Sequence, residues 1–259
     1  MTHLATYSLV AFNTATASAN KIHDDEVAQG LGFRGGLVPG VDVYAYLCHL
    51  PAAMWGHDWL RHGSMRARFH RPVYDGHRVE ITLGPGGLLE LRDEDGDLCA
   101  EATATLGTPA APPDPSDWPD VPQRAERPPA SLESLAPGTA FGLEPHGFHA
   151  AHAWEYLEAV REHLPLYAEQ GIAHPGWVLR DANYVLSANV VLGPWIHVES
   201  VVQHHALVHD GAVVSARAIV TREWESKGHR LVELDVLHLA DDRPMARTTH
   251  TAIYQPRGA

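Results

Sequence analysis

An almost uninterrupted apolar run occupies residues 41–50 and follows directly after Pro39-Gly40. Only Asp42 and His49 break the run, so a helix here is apolar nearly all round and is expected to be buried. Proline and glycine mark the start of the new element. The preceding residues 18–36 are first polar and then rich in glycine. Together these patterns predict a short helix, a loop, and a longer buried helix that begins near Gly40.

Alternation of apolar and polar residues replaces this pattern in residues 69–83 and 89–106. A period of two is typical of strands with one face on the core, and Asp-Gly or other glycine-containing turns separate the segments. We therefore predict antiparallel strands joined by hairpins. Asp75-Gly76 is interpreted as one of these hairpin turns.

The same order of elements recurs in the second half of the chain. The paired positions are Pro39-Gly40 with Pro175-Gly176, Asp75-Gly76 with Asp210-Gly211, and Cys99-Ala100 with Met245-Ala246. This alignment makes Val178 the counterpart of Asp42. Each half then consists of one apolar helix and a set of antiparallel strands, which predicts an α+β fold with each sheet wrapped around a helix.

A proline-rich segment separates the two halves. Nine of the 31 residues in positions 107–137 are proline, and neither helical nor strand periodicity is present there. We predict an N-terminal domain at 1–107, a linker at 108–137 and a C-terminal domain at 138–259. Two unrelated α+β domains joined by a linker remain an alternative interpretation.

The net charge of −13 argues against nucleic acid as a partner and mildly against anionic membranes. No apolar stretch has the length of a membrane span, and the N-terminus lacks a basic region typical of a secretory signal. The two cysteines, Cys48 and Cys99, form no metal-binding motif. These features indicate a cytoplasmic protein, and an anionic ligand would need local arginines such as Arg34, Arg66 and Arg71.

A sequence resemblance is visible in residues 18–40. The pattern N-x-x-H-x-D-x-x-A-x-x-x-G-F is met by Asn20, His23, Asp25, Ala28, Gly32 and Phe33, and is followed by Leu37, Val38 and Gly40. This resembles the MaoC-like (R)-specific enoyl-CoA hydratase/dehydratase family, whose members have the hotdog fold. The resemblance implies a double hotdog, with the hydratase-like motif in its N-terminal half.

The resemblance departs from the family at three positions. The family pattern is D-x-N-P-[IL]-H, with the aspartate and histidine as the catalytic pair, but this chain has Ser18 for the aspartate and Lys21 for the proline. Pro39 stands where family members usually have a histidine. Asp24 and Asp25 are weighed as replacement carboxylates.

The candidate catalytic residues are His23, Asn20 and Ser18. His23 is the general acid/base, because its unperturbed pKa lies near neutral pH. Asn20 and Ser18 would orient water or a substrate hydroxyl, although Ser18 also suits a helix N-cap. Substrate-binding positions are Val38, Pro39, Gly40 and Asp42: the free N–H groups at this helix start favour an oxygen that acquires negative charge.

The predicted function is a hydratase or dehydratase acting on an enoyl or 3-hydroxyacyl thioester of CoA or a carrier protein. Alternatives are a thioesterase using Asp42, an isomerase or cyclase, and a non-catalytic acyl-thioester-binding subunit. No metal or cofactor is predicted, and either a monomer or a homodimer is compatible with two hotdogs in one chain. His146, His149 and His152 are interpreted as a solvated helix start without a carboxylate partner.

Overall fold

The computed structural model describes residues 5–258, which contain one ten-stranded sheet with antiparallel neighbours throughout. The strands are β1 Ala5–Val10, β2 Ser64–Phe69, β3 Arg78–Leu83, β4 Leu88–Asp93, β5 Leu98–Thr105, β6 Ala140–Gly147, β7 Ile196–His204, β8 Val213–Ser226, β9 His229–Ala240 and β10 Arg243–Gln255. Their spatial order is β1-β3-β4-β5-β2-β7-β10-β9-β8-β6. Buried and exposed positions alternate along β3 and the first part of β8, as the period of two predicts.

The helices are α1 Asp25–Gly30, α2 Gly40–His62, α3 Ala150–Ala159, α4 Pro165–Gln170 and α5 Pro175–Ser187, and a 3₁₀ turn at Lys21–His23 precedes α1. The two longest, α2 and α5, pack against each other and against the inner face of the sheet. In α2 every residue from 41 to 48 is buried, so the apolar run lies in the core as expected. Gly56, with a φ of 55°, interrupts the helical backbone of α2 near its C-terminal end.

The two halves repeat one topology. Reading inward from each edge, the strand order is β1-β3-β4-β5-β2 in the first half and β6-β8-β9-β10-β7 in the second. The β2–β7 pairing joins the halves, with Ser64 opposite Gln203 and Arg68 opposite Glu199. This seam places the N-terminal end of α2 beside strand β7 of the other half.

Backbone hydrogen bonds correct the predicted alignment of the halves by one residue. Val38 N donates to Val73 O, and the equivalent bond runs from Ala173 N to Val208 O, each at 2.9 Å. Gly40 therefore corresponds to Pro175, and the counterpart of Asp42 is Trp177 rather than Val178. The two Pro-Gly dipeptides differ because Pro39 precedes its helix as the N-cap, while Pro175 occupies the first helical position, which its fixed φ suits.

The prediction of a hairpin turn at Asp75-Gly76 is wrong. This turn leads into β3, but two strands separate β2 from β3 in the sheet. Gly76 N donates instead to Ala11 O, just beyond the end of β1. Asp210-Gly211 has the equivalent position before β8. The turn residues correctly predicted that the chain changes direction here, but they do not determine which strands pair with each other.

Residues 106–139 cross from β5 to β6 over the outside of the sheet. A 3₁₀ turn at Pro115–Asp117 leads to Trp118, whose indole is buried against Leu237 and Leu239. Its Nε1 donates to Asp235 O at 3.1 Å. Further along, Pro129 forms an isolated bridge with Val191.

None of the helices within residues 5–258 combines the length and apolar character needed to span a bilayer.

Candidate functional site

The N-terminus of α2 is open, meaning that no side chain caps it, whereas a histidine side chain closes the N-terminus of α5. Pro39 precedes α2 and provides no side-chain cap, so the first N–H groups of the helix are free of side-chain partners. At α5, His174 Nδ1 accepts a hydrogen bond from Gly176 N at 3.0 Å. Behind it, Glu162 receives a hydrogen bond from His49 Nδ1 at 3.0 Å and lies 3.6 Å from His174 Nε2. Of these two helix starts, α2 is the one that offers donors to a ligand.

Two cavities meet beside this open helix start. They have volumes of about 320 and 390 Å³ and share five lining residues, which are Asn20, His23, Pro39, Asn183 and Trp195. The first cavity extends between Phe33, Val43 and Phe69, and is mostly apolar. The second extends past Ser18 towards Arg127 and Arg180. Both halves of the chain contribute to both cavities.

His23 lies where the two cavities meet, half-buried at the end of the 3₁₀ turn. Its Nδ1 is 2.6 Å from Leu37 O, a pure acceptor, so Nδ1 carries the proton and Nε2 keeps its lone pair. Burial lowers the pKa of His23, and the bond to Leu37 O and the charge of Asp42 oppose this shift. The imidazole is thus neutral near pH 7, with a basic nitrogen on the cavity side.

Asn20 joins the two halves of the chain. Its Oδ1 accepts from Trp195 N at 3.1 Å and its Nδ2 donates to Trp195 O at 2.9 Å. Oδ1 also caps the 3₁₀ turn through Ile22 N. Nδ2 is also 3.4 Å from His23 Nε2, so with Nδ1 protonated this nitrogen accepts a long hydrogen bond from Asn20, which a ligand would have to share or replace. Asn20 therefore holds the segment that carries His23 against the second half.

Ser18 lines the second cavity and accepts a hydrogen bond from Asn20 N at 3.1 Å. Because its Oγ acts there as an acceptor, its hydroxyl proton remains free for a ligand. The neighbouring carboxylates have structural partners: Asp24 caps α1, and Asp25 Oδ1 accepts from Gly36 N at 2.7 Å. Neither Asp24 nor Asp25 lines the cavities.

Asp42 is fully buried in an ion pair between the halves. Its Oδ1 accepts from Arg180 Nη2 at 2.8 Å and its Oδ2 accepts from Thr14 Oγ1 at 2.5 Å. Arg180 also lies 4.4 Å above the ring of Tyr156. Both oxygens of Asp42 are engaged, and the residue lines neither cavity. The side chain binds α2 to α5 and presents no free oxygen to a substrate.

Replacement of Asp42 by alanine is expected to lower the free energy of unfolding by about 3–5 kcal/mol, because Arg180 is left without its buried partner. Urea unfolding followed by circular dichroism measures the change. The matched double variant Asp42→Ala/Arg180→Gln, which removes both charges, should be less destabilised than Asp42→Ala alone. A single variant as stable as the wild type would show that the ion pair contributes nothing to the fold.

The second half supplies three residues that the sequence patterns did not identify. Asn183 and Trp195 lie at the meeting point of the cavities, and Asn183 Oδ1 is buried without a hydrogen-bond partner. His197, near the start of β7, is 6% exposed and lines the first cavity. Its Nε2 is 2.8 Å from Ser200 Oγ, which in turn is 3.0 Å from His250 Nδ1. None of these residues belongs to a local motif, and the enrichment of aromatic residues in the second half, which includes Trp195, fits either a cavity or core packing.

Three arginines border the cavities, of which Arg71 is paired with Asp97 and Arg180 with Asp42. Arg71 borders the first cavity and Arg127 and Arg180 border the second, while no carboxylate is found among the described residues that line them. This local excess of arginine contrasts with the net charge of −13. The guanidinium of Arg127, for which no ion pair is found among the described residues, favours an anionic ligand at the second cavity. No cluster of three metal-ligating side chains exists among residues 5–258.

The interpretation of His146 as a solvated helix residue without a carboxylate partner is wrong. His146 lies in β6, and its Nε2 is 3.0 Å from Asp181 Oδ1 on α5. The hydrogen bond to Asp181 raises the pKa of His146. The partner was missed because it lies 35 positions away in the sequence. The pair lies outside the two cavities described above.

Comparison with known proteins gives matches among solved structures. No family model and no curated protein matches the sequence. A structure described as a MaoC domain protein dehydratase from Chloroflexus aurantiacus J-10-fl superposes with a TM-score of 0.63 at 12% identity, covering 99% of this chain and 95% of its own. One described as a MaoC-like dehydratase has a TM-score of 0.63 at 14% identity, with coverages of 96% and 98%.

A third match comes from Mycobacterium tuberculosis, and is described as a protein essential for bacterial survival during infection that has a double hotdog fold. Its TM-score is 0.62 at 13% identity, covering 98% of this chain and 96% of its own. This chain has the double hotdog fold. The prediction from the sequence is thereby confirmed for the architecture. At these identities the double hotdog alone is shared, and the chemistry has to be argued from the site.

Proposed function

We propose that this double hotdog protein is a hydratase/dehydratase, a lyase acting on an enoyl or 3-hydroxyacyl thioester of CoA or a carrier protein. The supporting observation is His23, a neutral imidazole whose basic Nε2 faces the cavities beside the uncapped start of α2. A thioester carbonyl bound to the N–H groups near Gly40 would place the adjacent double bond within reach of this nitrogen. The missing side chain of Gly40 makes room for the ring of His197, and the helix start keeps N–H groups without side-chain partners.

The reaction follows from these two groups. His23 Nε2 removes a proton from water as the water oxygen bonds to C3 of the enoyl thioester. The electron pair of the double bond moves onto the thioester, whose carbonyl oxygen becomes an enolate stabilised by the helix N–H groups. Collapse of the enolate then takes the proton from His23 to C2. Dehydration is the reverse sequence, and Ser18 Oγ–H is available to bind the hydroxyl oxygen.

The cavities suit the two ends of such a substrate. The first is lined mainly by apolar side chains and fits an acyl chain. The second carries Arg127 and Arg180 and fits the phosphate-bearing arm of CoA or a carrier protein. Arg180 is already paired with Asp42, so Arg127 is the guanidinium available for phosphate. Its exposed position fits a phosphate outside the mouth of the cavity.

Isomerisation of the enoyl thioester is the second candidate. It is favoured by the absence of a carboxylate among the described cavity-lining residues, because moving a double bond needs only one group that removes and returns a proton. Thioester hydrolysis through Asp42 is less favourable, since both oxygens of that residue are engaged.

The test is incubation of the wild-type protein with crotonyl-CoA and longer 2-enoyl-CoAs, with the products separated and identified. We expect 3-hydroxyacyl-CoA and a loss of enoyl-thioester absorbance. A 3-enoyl product would identify an isomerase, and release of free CoA a thioesterase. Binding without any of these products would indicate an acyl-thioester-binding subunit and contradict the lyase.

We further propose a cytoplasmic location. Cys48 and Cys99 are both buried and unpaired, as is usual in reducing compartments. A homodimer remains a prediction, and size-exclusion chromatography with light scattering checks it.

A further inference from the structure

His197 approaches the start of α2 from the opposite half of the chain. A Cβ atom added to Gly40 would lie only 2.7 Å from His197 Nδ1, so the ring packs directly on the first residue of the helix. This Nδ1 is buried and has no hydrogen-bond partner. A buried polar nitrogen without a partner costs free energy, which a bound oxygen or N–H group would recover. His197 is also one of the residues that line the first cavity, beside the open helix start.

The ring is held by Ser200 and His250. His197 Nε2 and His250 Nδ1 both contact the single hydroxyl of Ser200, at 2.8 and 3.0 Å. A hydroxyl donates one proton, so it can donate to only one of these nitrogens. When Ser200 donates to His197 Nε2, the proton of the His197 ring must be on Nδ1. The alternative, in which His197 Nε2 donates to Ser200 and Ser200 donates to His250, would leave Nδ1 as an acceptor, so the N–H at the helix start requires the first arrangement.

His197 stays neutral in this position. Burial lowers the pKa of His197 well below its usual value, the nearby His250 lowers it further, and an interaction with the backbone of Glu199 only partly opposes this shift. A neutral imidazole is a hydrogen-bond donor that does not lose its proton to an enolate, and it repels no other positive charge. It therefore suits the stabilisation of a carbonyl oxygen better than proton transfer to carbon, which falls to His23.

We propose that His197 donates its Nδ1–H to the thioester carbonyl oxygen bound at the start of α2, with Ser200 and His250 as positioning residues. This inference rests on the proposed function for its substrate class. It assigns to the second half a direct part in the chemistry: the first half supplies the helix N–H groups and His23, and the second half supplies an additional donor to the same oxygen. The charge that develops on the enolate is then shared between both halves.

The contrast between the two helix starts supports this assignment. His174 at α5 uses its Nδ1 as an acceptor for the N–H of its own helix, at Gly176, and so closes that helix to ligands. His197 contacts Gly40 without such a bond, and α2 keeps its N–H groups.

The experiment uses the full chain with butyryl-CoA labelled with ¹³C at the thioester carbonyl, a saturated ligand that cannot be hydrated. Isotope-edited infrared spectroscopy reports the strength of hydrogen bonding to the bound carbonyl as a shift to lower frequency. The variants are His197→Leu, which removes the donor, His197→Asn, which keeps an N–H near the Nδ1 position, and Ser200→Ala, which removes the positioning bond. His163→Leu, at an exposed site, controls for the substitution.

We expect a marked shift in the wild type and in His163→Leu, a loss of much of that shift in His197→Leu, and partial retention in His197→Asn and Ser200→Ala. In the hydration assay, kcat of His197→Leu should fall by roughly 10²–10³-fold, the usual effect of losing one oxyanion donor. KM should change much less. A full carbonyl shift and full kcat in His197→Leu would overturn the proposal.

The outcomes separate this inference from the proposed function. If the wild type binds butyryl-CoA but hydrates no enoyl-CoA, the lyase is contradicted, while the carbonyl shift still decides the role of His197. If the wild type does not bind acyl-CoA at all, both proposals are overturned. Thermal unfolding of each variant distinguishes loss of the donor from loss of the fold.

Discussion

The variant His23→Ala is expected to lose hydration activity by roughly 10²–10⁴-fold in kcat/KM, the range for removal of a general acid/base group. His23 Nε2 is the unprotonated nitrogen of a residue that lies where the two cavities meet, and no carboxylate among their described lining residues is available to replace it. Initial rates with crotonyl-CoA measure the effect.

Two further variants distinguish loss of the basic nitrogen from other effects of the substitution. His23→Asn keeps a side-chain donor near the position of Nδ1, which can still reach Leu37 O, but it has no basic nitrogen. It should fold like the wild type and be as inactive as His23→Ala. His77→Ala, in an exposed pair with Glu94, should retain full activity. Wild-type rates in His23→Asn would exclude His23 as the acid/base group.

Acidification from pH 7.5 to pH 5 is expected to destabilise the fold strongly. His204, His238 and His250 are buried on the second-half strands, and burial lowers their pKa values to about 4, 3 and 3. In the unfolded chain the usual value is about 6.5. As the pH falls below 6.5, the unfolded chain binds protons that the folded chain cannot bind, so the free energy of unfolding decreases.

The expected size is large. At pH 5 the difference in proton affinity costs about 2 kcal/mol for each of the three residues, or roughly 6 kcal/mol in all. Folded domains are usually stable by only about 5–15 kcal/mol. His146 acts in the opposite direction, because its pKa is raised, but it is a single half-exposed group.

Urea unfolding at several pH values between 8 and 5 measures this effect. The slope of the free energy of unfolding near pH 5 should correspond to at least three protons, because the buried His197, whose pKa is also lowered, adds to the three histidines named above. The double variant His238→Leu/Thr248→Val removes one buried histidine together with its 2.9 Å hydroxyl partner, and should reduce the slope by about one proton. A stability that is constant from pH 8 to pH 5 would contradict the prediction.

The architecture was predictable because local patterns repeat. The Pro-Gly dipeptides marked the starts of two largely buried helices, and alternation with a period of two indicated the strands in both halves. The first residue of each helix could not be predicted from the dipeptide alone, because Pro39 lies before its helix and Pro175 lies within its helix. The neighbours of each strand were also missed at Asp75-Gly76, since pairing depends on contacts between distant segments.

The site was predictable only in the half that carries the motif. His23, Asn20 and Ser18 all line the cavities, and their roles in catalysis remain predictions. The contribution of Trp195 and His197 depends on the pairing of β2 with β7, which no local pattern encodes. For Asp42 the sequence suggested a role that the structure does not support. Its position at a helix start suggested substrate binding or catalysis, but its ion-pair partner Arg180 lies 138 residues away and could not be predicted.

The hydrogen bonds between Asn20 and Trp195 make the site an interface between two covalently tethered halves. A tether converts association into an intramolecular step, at an effective concentration on the order of millimolar for short flexible connections. Dilution therefore does not dissociate the site, as it would for two separate subunits with the same contacts. Because the partner half is always present, the second half can function without an acid/base motif of its own, and its sequence is free to diverge towards ligand contacts.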